Sequence, residues 1–482
     1  VIDEDLGYEN QNKQTVVSRE FYKIIECLDF YFLSVMNKQY SLEPECHKIC
    51  MVSDFFFPNM GGVEEHIFNL SQCLLLKGHK VIVMTHSYED RVGIRYMTNG
   101  LKVYYLPIKV FYNQCVLPTM ICNIPLIRYI LLREEIQIIH GHSAFSALAH
   151  EAMLIGNLLG LKTVFTDHSL FGFADASALI TNKLLEMSLA SCNHCICVSY
   201  IGKENTVLRG RVDCKRVSVI PNAVDTFSFT PDPTQRDQSQ ITIVVVSRLV
   251  YRKGVDLTAQ VIGDICDKYK EVNFLIAGDG PKRWLLEEIR ERRGLQDRVL
   301  LLGALEHSQV RNVLVKGHIF LNTSLTEAYC MAIVEAVSCG LKVVSTRVGG
   351  IPEVLPDDLI TLTEPTVPSL LEGLDKTILE LKRGQFVCPY ACNKRTEKYY
   401  NWQDVSTRTQ IVYNSVSKEE PKSLRKILHS QLGSGVWPYL LVISLAFLIL
   451  QFYEFWVPRK EIDIARNYKC SKKTHVKEKW NI

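Results

Sequence analysis

The 482-residue sequence carries almost no net charge: 55 Lys and Arg stand against 52 Asp and Glu, a balance of +3. A chain so balanced builds no field to hold a phosphate backbone, so no nucleic-acid partner is expected. It also lacks a cysteine framework. Its 16 cysteines are scattered, with Cys50 and Cys73 beside apolar runs and Cys330 and Cys339 in a helix-like stretch. Such placement suits reduced, buried thiols rather than secreted disulfides. Cys192, Cys195 and Cys197 crowd His194, and Cys388 lies near Cys392, but neither group has a second pair to complete a zinc set. There is no P-loop, no HExxH, no GxSxG elbow and no GxGxxG, which argues against a P-loop nucleotidase, a zinc protease, an α/β-hydrolase and a dinucleotide oxidoreductase. A DxD pair occurs only at Asp3–Asp5. The apolar stretch Phe21–Val35 is broken by Lys23, Glu26 and Asp29, so it makes no signal-peptide core.

What is present is alternation. After a mixed segment, 1–45, expected to be a divergent or disordered extension, short apolar runs alternate with helix-like stretches. The runs are ICMVS at 49–53, VIVMT at 81–85, VYYLP at 103–107, IQIIH at 136–140, TVFTDH at 163–168, HCICVS at 194–199 and VSVIPN at 217–222. A polar stretch, Thr226–Gln240, punctuated by Pro231 and Pro233, reads as a linker. Alternation then restarts with ITIVVVSRL, FLIAGDG, RVLLLG, HIFLNTS, KVVSTRVGG and LITL. Repeated βαβ units predict two doubly wound α/β domains, 46–225 and 226–416, with ligands in the cleft between the carboxyl ends of their sheets. A juxtamembrane linker, 417–435, leads to 436–457, apolar except for Gln451 and Glu454 and flanked by Trp437, Tyr439, Tyr453 and Trp456. That pattern predicts a single transmembrane helix, followed by a short basic tail, 458–482. Basic residues lie on both sides of the span, and no translocating signal precedes it. The expectation is therefore cytosolic domains and a lumenal tail.

The stretch Leu321–Gly340, LNTSLTEAYCMAIVEAVSCG, holds Glu327 and Glu335. A helix is expected from about Ala328 to the C-cap at Gly340. Glu327 then lies at a strand-to-helix turn and Glu335 about two turns into the helix, roughly 12 Å away. Such a pair suits the two ends of an elongated polar ligand; a pair of surface glutamates on an amphipathic helix is the alternative. Arg248 and Lys253 follow the first strand of the second half, where two cations suit a diphosphate; Arg252 beside them reads equally well as solvated. Gly61 and Gly62 open a helix whose N–H groups can meet a phosphate. Gly280, in GDGP, closes the next strand at the cleft edge. His168 ends a strand beside Asp167, while His140 and His142 suit packing or turn roles.

Together these residues resemble the family 4 glycosyltransferases of the GT-B fold, from about His47 to Val416. Within them the chain is most similar to the catalytic subunits that start glycosylphosphatidylinositol (GPI) anchor synthesis. The phrases that carry the likeness are ICMVSDFFFPNMGGVEEHI, GIRYMTNGLKVYYLP, FTDHSLFGFADASALITNKLL, VVVSRLVYRKGVDL, LLGALEHSQVRNVLVKGHIFLNTSLTEAYCMAIVEA and VSTRVGGIPEVLP. The resemblance implies retaining, metal-independent transfer of N-acetylglucosamine from UDP-N-acetylglucosamine, as donor substrate with no cofactor, to phosphatidylinositol at the endoplasmic reticulum membrane. It implies a first domain facing the acceptor and a second holding the donor, within a complex of other membrane-bound subunits. It also implies Glu327 near the sugar, Glu335 near the ribose, Arg248 and Lys253 at the diphosphate, Gly62 as its backbone contact and His168 near the sugar. Ala328 stands where many family members have glycine. Two other readings are a family 4 mannosyltransferase on a lipid acceptor and a non-catalytic scaffold of the same fold.

Overall fold

The computed structural model describes residues 46–112, 114–170, 176–385 and 387–466. The extension 1–45 with Asp3–Asp5, and the tail beyond 466, lie outside them. The described residues from His47 onward form one compact unit.

The first half runs β1 (Lys48–Val52), α1 (Gly62–Leu76), β2 (Lys80–His86), β3 (Gly93–Tyr96), β4 (Lys102–Leu106), β5 (Val110–Tyr112), β6 (Cys115–Val116), α2 (Ile124–Arg133), β7 (Ile138–His142), α3 (Ala147–Leu158), β8 (Lys162–Asp167), α4 (Ala176–Ala190), β9 (His194–Cys197), α5 (Tyr200–Gly210) and β10 (Val217–Val219). The second runs β11 (Ile241–Val246), α6 (Val255–Lys268), β12 (Val272–Ala277), α7 (Arg283–Arg292), β13 (Val299–Gly303), α8 (His307–Leu314), β14 (Ile319–Asn322), α9 (Met331–Ser338), β15 (Lys342–Thr346), β16 (Ile360–Thr363), α10 (Val367–Lys382) and α11 (Pro389–Tyr399). Then come α12 (Trp402–Ser417), α13 (Leu424–Leu432) and α14 (Trp437–Trp456).

Two sheets result, in the orders β10-β9-β8-β7-β1-β2-β4-β3 and β13-β12-β11-β14-β15-β16. Both are parallel except for β3, which runs antiparallel to β4 at one edge. That exposed edge strand and the β5–β6 hairpin were not among the strands expected from the apolar runs; β3 is solvent-facing throughout, so no apolar run marks it. The central strands are covered on both faces. Ile49 and Met51 of β1 enter one core layer, Cys50 and Val52 the opposite one, as the two-residue strand period requires. The linker is not loose. Asn393 on α11 donates to the carbonyls of Thr226 and Phe229 (both 3.2 Å), and Phe229 is buried.

One domain boundary differs from the expected 226–416. Helix α12 returns to the first sheet, where Val405, Val412, Tyr413 and Val416 pack with Ile49, Met51, Ile138 and Val164. Tyr413 Oη is 2.7 Å from His140 Nδ1, and His140 Nε2 is 2.6 Å from Thr166 Oγ1, so His140 is a fixed core group. The apolar face that brings α12 home is complementary to α1 and β8, whereas the linear order of the chain carries no sign of the crossover.

Helix α14 is the one described helix long and apolar enough to cross a membrane. It also packs along its length on the first domain. Tyr439, Ile443, Ala446 and Leu450 are buried, Ala446 and Leu450 in the core layer that α2 and α3 complete. Arg128 of α2 pairs with Glu454 at 2.6 Å, and beyond the helix Arg133 pairs with Asp463 at 3.1 Å. The opposite stripe, Leu441, Leu445, Leu448, Phe452 and Phe455, is exposed.

The α12 crossover is testable. Tyr413→Phe leaves a buried imidazole nitrogen without its partner, a cost of about 1–3 kcal/mol. Hydrogen exchange should quicken in β7 and β8 of the first sheet and stay unchanged in β11 and β14; quickening confined to the second sheet contradicts the assignment.

Candidate active site

In a parallel sheet whose strand order reverses, the loops leaving the two central strands diverge and open a crevice. The second sheet reverses between β11 and β14. The loop after β11 carries Arg248 and Lys253; the loop after β14 carries Thr323 to Cys330. The cations and Glu327 thus meet because the topology puts their strands side by side.

Lys253 Nζ forms an ion pair with Glu327 Oε1, which also accepts from Ser324 Oγ at 3.0 Å. Burial pushes the Lys253 ammonium down, but Glu327 outweighs it and the net shift is upward, so the cation persists. The two loops touch through backbone: Thr323 Oγ1 donates to the Lys253 carbonyl at 2.9 Å. Gly254 makes this approach possible. Its φ is +66°, and a Cβ there would sit 1.9 Å from the Thr323 carbonyl oxygen. On the other side Gly350 N donates to the Glu327 carbonyl at 2.9 Å.

This tertiary grip explains a correction. The helix starts at Met331, not near Ala328, because the carbonyl of Glu327 is engaged by Gly350 rather than by a helical turn. Glu327 therefore lies on a loop, Glu335 is only the fifth residue of α9, and the helical separation of roughly 12 Å does not apply. The stop is as expected, with Gly340 at φ +80° just past the helix.

Arg248 is exposed and has no ion-pair partner among the described residues. Its charge opposes the upward push that burial gives Glu64, and it also acts on Lys253. Arg252 is likewise exposed; its carbonyl accepts from Leu325 N at 2.8 Å, a loop contact. Gly280 lies behind the Arg248 loop. A Cβ there would meet the Leu249 carbonyl oxygen at 2.6 Å, so its visible role is close packing of two loops.

From the first domain, Gly61 caps α1 and Gly62 begins it. A Cβ on Gly62 would meet nothing nearer than Met331 Cγ, at 3.9 Å. Met331 is the first residue of α9, so two helix N-termini, both electropositive, face one gap between the domains.

Glu335 is buried, and its Oε1 is 3.0 Å from His307 Nε2, the first residue of α8. The same nitrogen is 3.3 Å from Glu65 Oε2 on α1. Burial lowers the His307 imidazole, but Glu335, Glu65 and Asp225 reverse that and raise it to about 9. Burial, reinforced by Glu335, lifts Glu65 to about 7.

His168 follows β8. Its Nε2 is 3.3 Å from His142 Nδ1, and its ring centroid is 4.7 Å from that of His66. His66 Nδ1 donates to Asn222 Oδ1 at 2.8 Å, and Tyr329 Oη donates to the Asn222 carbonyl at 3.0 Å. Through that chain His168 is coupled to the Glu327 loop, and Leu170 reaches Gly349 beside the Glu327 carbonyl. Burial holds His66, His142 and His168 below the ordinary range, so all three are neutral at pH 7.

Two clusters bring ligand atoms within 4.8 Å of one another: His66, His142 and His168, and Glu65, His307 and Glu335. In the second, a proton on His307 Nε2 already bridges the carboxylates and occupies its lone pair. The first offers neutral imidazoles, two of them already in mutual contact.

Glu65, His66, Asn222, His307 and Tyr329 were not singled out by the sequence. Glu65 and His66 sit one turn into the helix that Gly62 opens, and His307 heads the helix after a strand end. Those positions at the carboxyl side of the sheets were the available signal.

Comparison with known proteins identifies the fold and the family. Residues 86–175 match the family described as PIGA (GPI anchor biosynthesis), and residues 227–383 match Glycosyl transferases group 1. A phosphatidylinositol N-acetylglucosaminyltransferase subunit from Homo sapiens is 58% identical, over 88% of this chain and 89% of its own length. The subunit of the same name from Arabidopsis thaliana is 51% identical, over 88% and 95%, and the gpi3 subunit from Schizosaccharomyces pombe 47% identical, over 88% and 94%. Among solved structures, a sucrose-phosphate synthase from Thermosynechococcus elongatus aligns with TM-score 0.64 at 16% identity, covering 77% of this chain and 98% of that one. Anabaena HepE in complex with UDP aligns with TM-score 0.60 at 16% identity, covering 76% and 100%. The fold is GT-B, and the chain belongs to the glycosyltransferase family formed by the PIGA and gpi3 subunits of phosphatidylinositol N-acetylglucosaminyltransferase.

Proposed function

We propose that this chain transfers N-acetylglucosamine from UDP-N-acetylglucosamine to phosphatidylinositol with retention of configuration, the first step of GPI-anchor synthesis. The observation that carries the reading is the Lys253–Glu327 ion pair beside the uncommitted Arg248, at the reversal point of the second sheet and opposite the Gly62 helix start. The names of the relatives supply the sugar and the acceptor.

Each group then has a task. As the bond from the sugar's anomeric carbon to the diphosphate breaks, negative charge grows on the leaving oxygen. Arg248 and Lys253 neutralise it, with the N-termini of α1 and α9 adding N–H donors. The arriving diphosphate shares Lys253 with Glu327. Glu327, still held by Ser324, keeps lone pairs for sugar hydroxyls; a carboxylate so engaged is a poor nucleophile, which favours front-face attack by the inositol hydroxyl. The departing diphosphate oxygen is then the nearest base for the proton of that hydroxyl. Neutral His168, its Nε2 already against His142 Nδ1, keeps its other ring nitrogen for the sugar on the first-domain side. Glu335 accepts from the ribose. Gly62 leaves room for the diphosphate, and Gly61 and Gly280 shape the two loops around it. Arg248, Lys253 and the two helix ends are the positive groups proposed to stand in place of a bridging metal.

The setting follows from α14. Its exposed apolar stripe, with Trp437 and Trp456 at its ends, supports attachment to a membrane, proposed to be that of the endoplasmic reticulum. The arrangement proposed is a single pass with cytosolic domains and a lumenal tail, for which α14 must release the Arg128–Glu454 and Arg133–Asp463 pairs that seat its far end on the first domain here. The relatives are named as subunits, so other subunits of a membrane complex are the partners.

The direct test is transfer of labelled sugar from UDP-N-acetylglucosamine to phosphatidylinositol in membranes carrying the partner subunits. Arg248→Ala should lower kcat/KM by about 10²–10³-fold, the loss typical of one stabilising contact at a developing anion, and Glu327→Gln should lower it by weakening the sugar-hydroxyl acceptor and the Lys253 pair; unchanged turnover in either contradicts the site. Gly62→Ala should leave thermal stability intact, since the added methyl meets no protein atom within 3.9 Å, while raising KM for the donor. Donor KM unchanged in that variant removes Gly62 from the site. Chelation by EDTA should leave the rate unchanged, whereas loss restored by a divalent cation points to the His66, His142 and His168 cluster instead.

A further inference from the structure

We propose that His307 is a positioning residue for the ribose end of the donor, and that Glu65 from the first domain holds it in place when the two domains are closed. The inference rests on Glu335 as the ribose acceptor.

His307 is fixed on three sides. Its Nε2 lies 3.0 Å from Glu335 Oε1 and 3.3 Å from Glu65 Oε2, so one N–H faces two carboxylates from different domains. Its ring meets the buried ring of Phe229, 5.3 Å between centroids, and Phe229 belongs to the segment that joins the domains. An imidazole held against a neighbouring ring and at one nitrogen has little freedom to turn. It therefore fixes the rotamer of Glu335, as an outer hydrogen bond fixes a metal-ligating side chain. Glu335 Oε2 has no protein partner among the described residues, which leaves one oxygen for vicinal hydroxyls.

The cluster is also a charge device. Glu65 and Glu335 come from opposite sides of the cleft, and both are largely buried. Without a cation between them they repel in a medium of low dielectric. The imidazolium converts that repulsion into cohesion, so the same proton that orients Glu335 also draws α1 toward α9. The charged groups facing His307 are Glu335 on α9, Glu65 on α1 and Asp225 at the start of the linker. All three favour the protonated form. The His307 value is raised, so its imidazolium is present below about 9 and lost as pH rises through that value; Glu65 is itself raised to about 7, so the latch is fully charged between about 7 and about 9.

The experiment uses the full chain in its membrane complex and measures kcat and both KM values from about pH 6 to about pH 10, a range that brackets the imidazolium's loss of its proton. In the parent enzyme, KM for UDP-N-acetylglucosamine should rise as pH passes about 9. His307→Ala should raise donor KM about tenfold or more at pH 7, the loss of a hydrogen bond to a charged group, with KM for phosphatidylinositol unchanged. Its donor KM should then be flat across the alkaline range. His307→Gln, which still donates to Glu335, should recover most of the affinity but not the pH dependence. Glu65→Gln should raise donor KM less than His307→Ala and move the alkaline rise to lower pH. If Glu335→Gln raises donor KM while His307→Ala does not, the ribose site stands and the role of His307 falls. If Arg248→Ala and Glu327→Gln leave turnover intact, the donor-site reading itself fails. Where His307→Ala does not assemble, an unaltered pH profile in His307→Gln or in Glu65→Gln overturns the proposal.

Discussion

A half-buried ammonium and carboxylate at the reversal point of the second sheet set the terms for the rest of the site. Lys253 and Glu327 come from loops far apart in the chain, and parallel pairing of β11 with β14 brings those loops together. Each charge would be costly there alone. Paired, they hold two loops in register and keep a cation and an anion ready at a crevice. Gly254 permits the backbone approach, and Gly350 fastens the far side of the Glu327 loop. Arg248, left without a counter-charge among the described residues, is the part of the arrangement that a ligand can complete.

The two domains are joined by more than the linker. His307 lies between Glu65 and Glu335; Tyr329 reaches Asn222, which holds His66; and Glu353 accepts from Tyr200 N (2.6 Å) and Ile201 N (2.9 Å) at the start of α5. These contacts are polar, and several are charged. Polar contacts can be traded for water at small net cost, unlike an apolar seam. The cleft therefore closes on specific groups rather than on bulk apolar area.

Much of this was legible in the sequence, for physical reasons that differ by element. Strands buried on both faces, such as ITIVVV and ICMV, write themselves as continuous apolar runs. Glu327, Arg248 and Lys253 were legible because they follow such runs directly. The return of α12 to the first sheet was not, since the partner of an apolar helical face is a three-dimensional fact; Tyr413 pairs with His140 from the far end of the chain. The start of α9 departs from the expected position because helix propensity around Ala328 lost to tertiary backbone bonds. Glu65 and His307 were missed because a first-turn Glu and a lone His look ordinary until the other domain supplies the partner.

The clamping of α14 to α2 and α3, through Leu450, Glu454 and the Asp463 pair, has a consequence for how substrates arrive. An anchor on a loose tether lets a catalytic head wander through a hemisphere above the bilayer. An anchor bolted to the head acts as a gauge, fixing the height and tilt of the cleft relative to the lipid plane. A water-soluble nucleotide sugar then diffuses in from three dimensions, while a lipid acceptor approaches sideways in two.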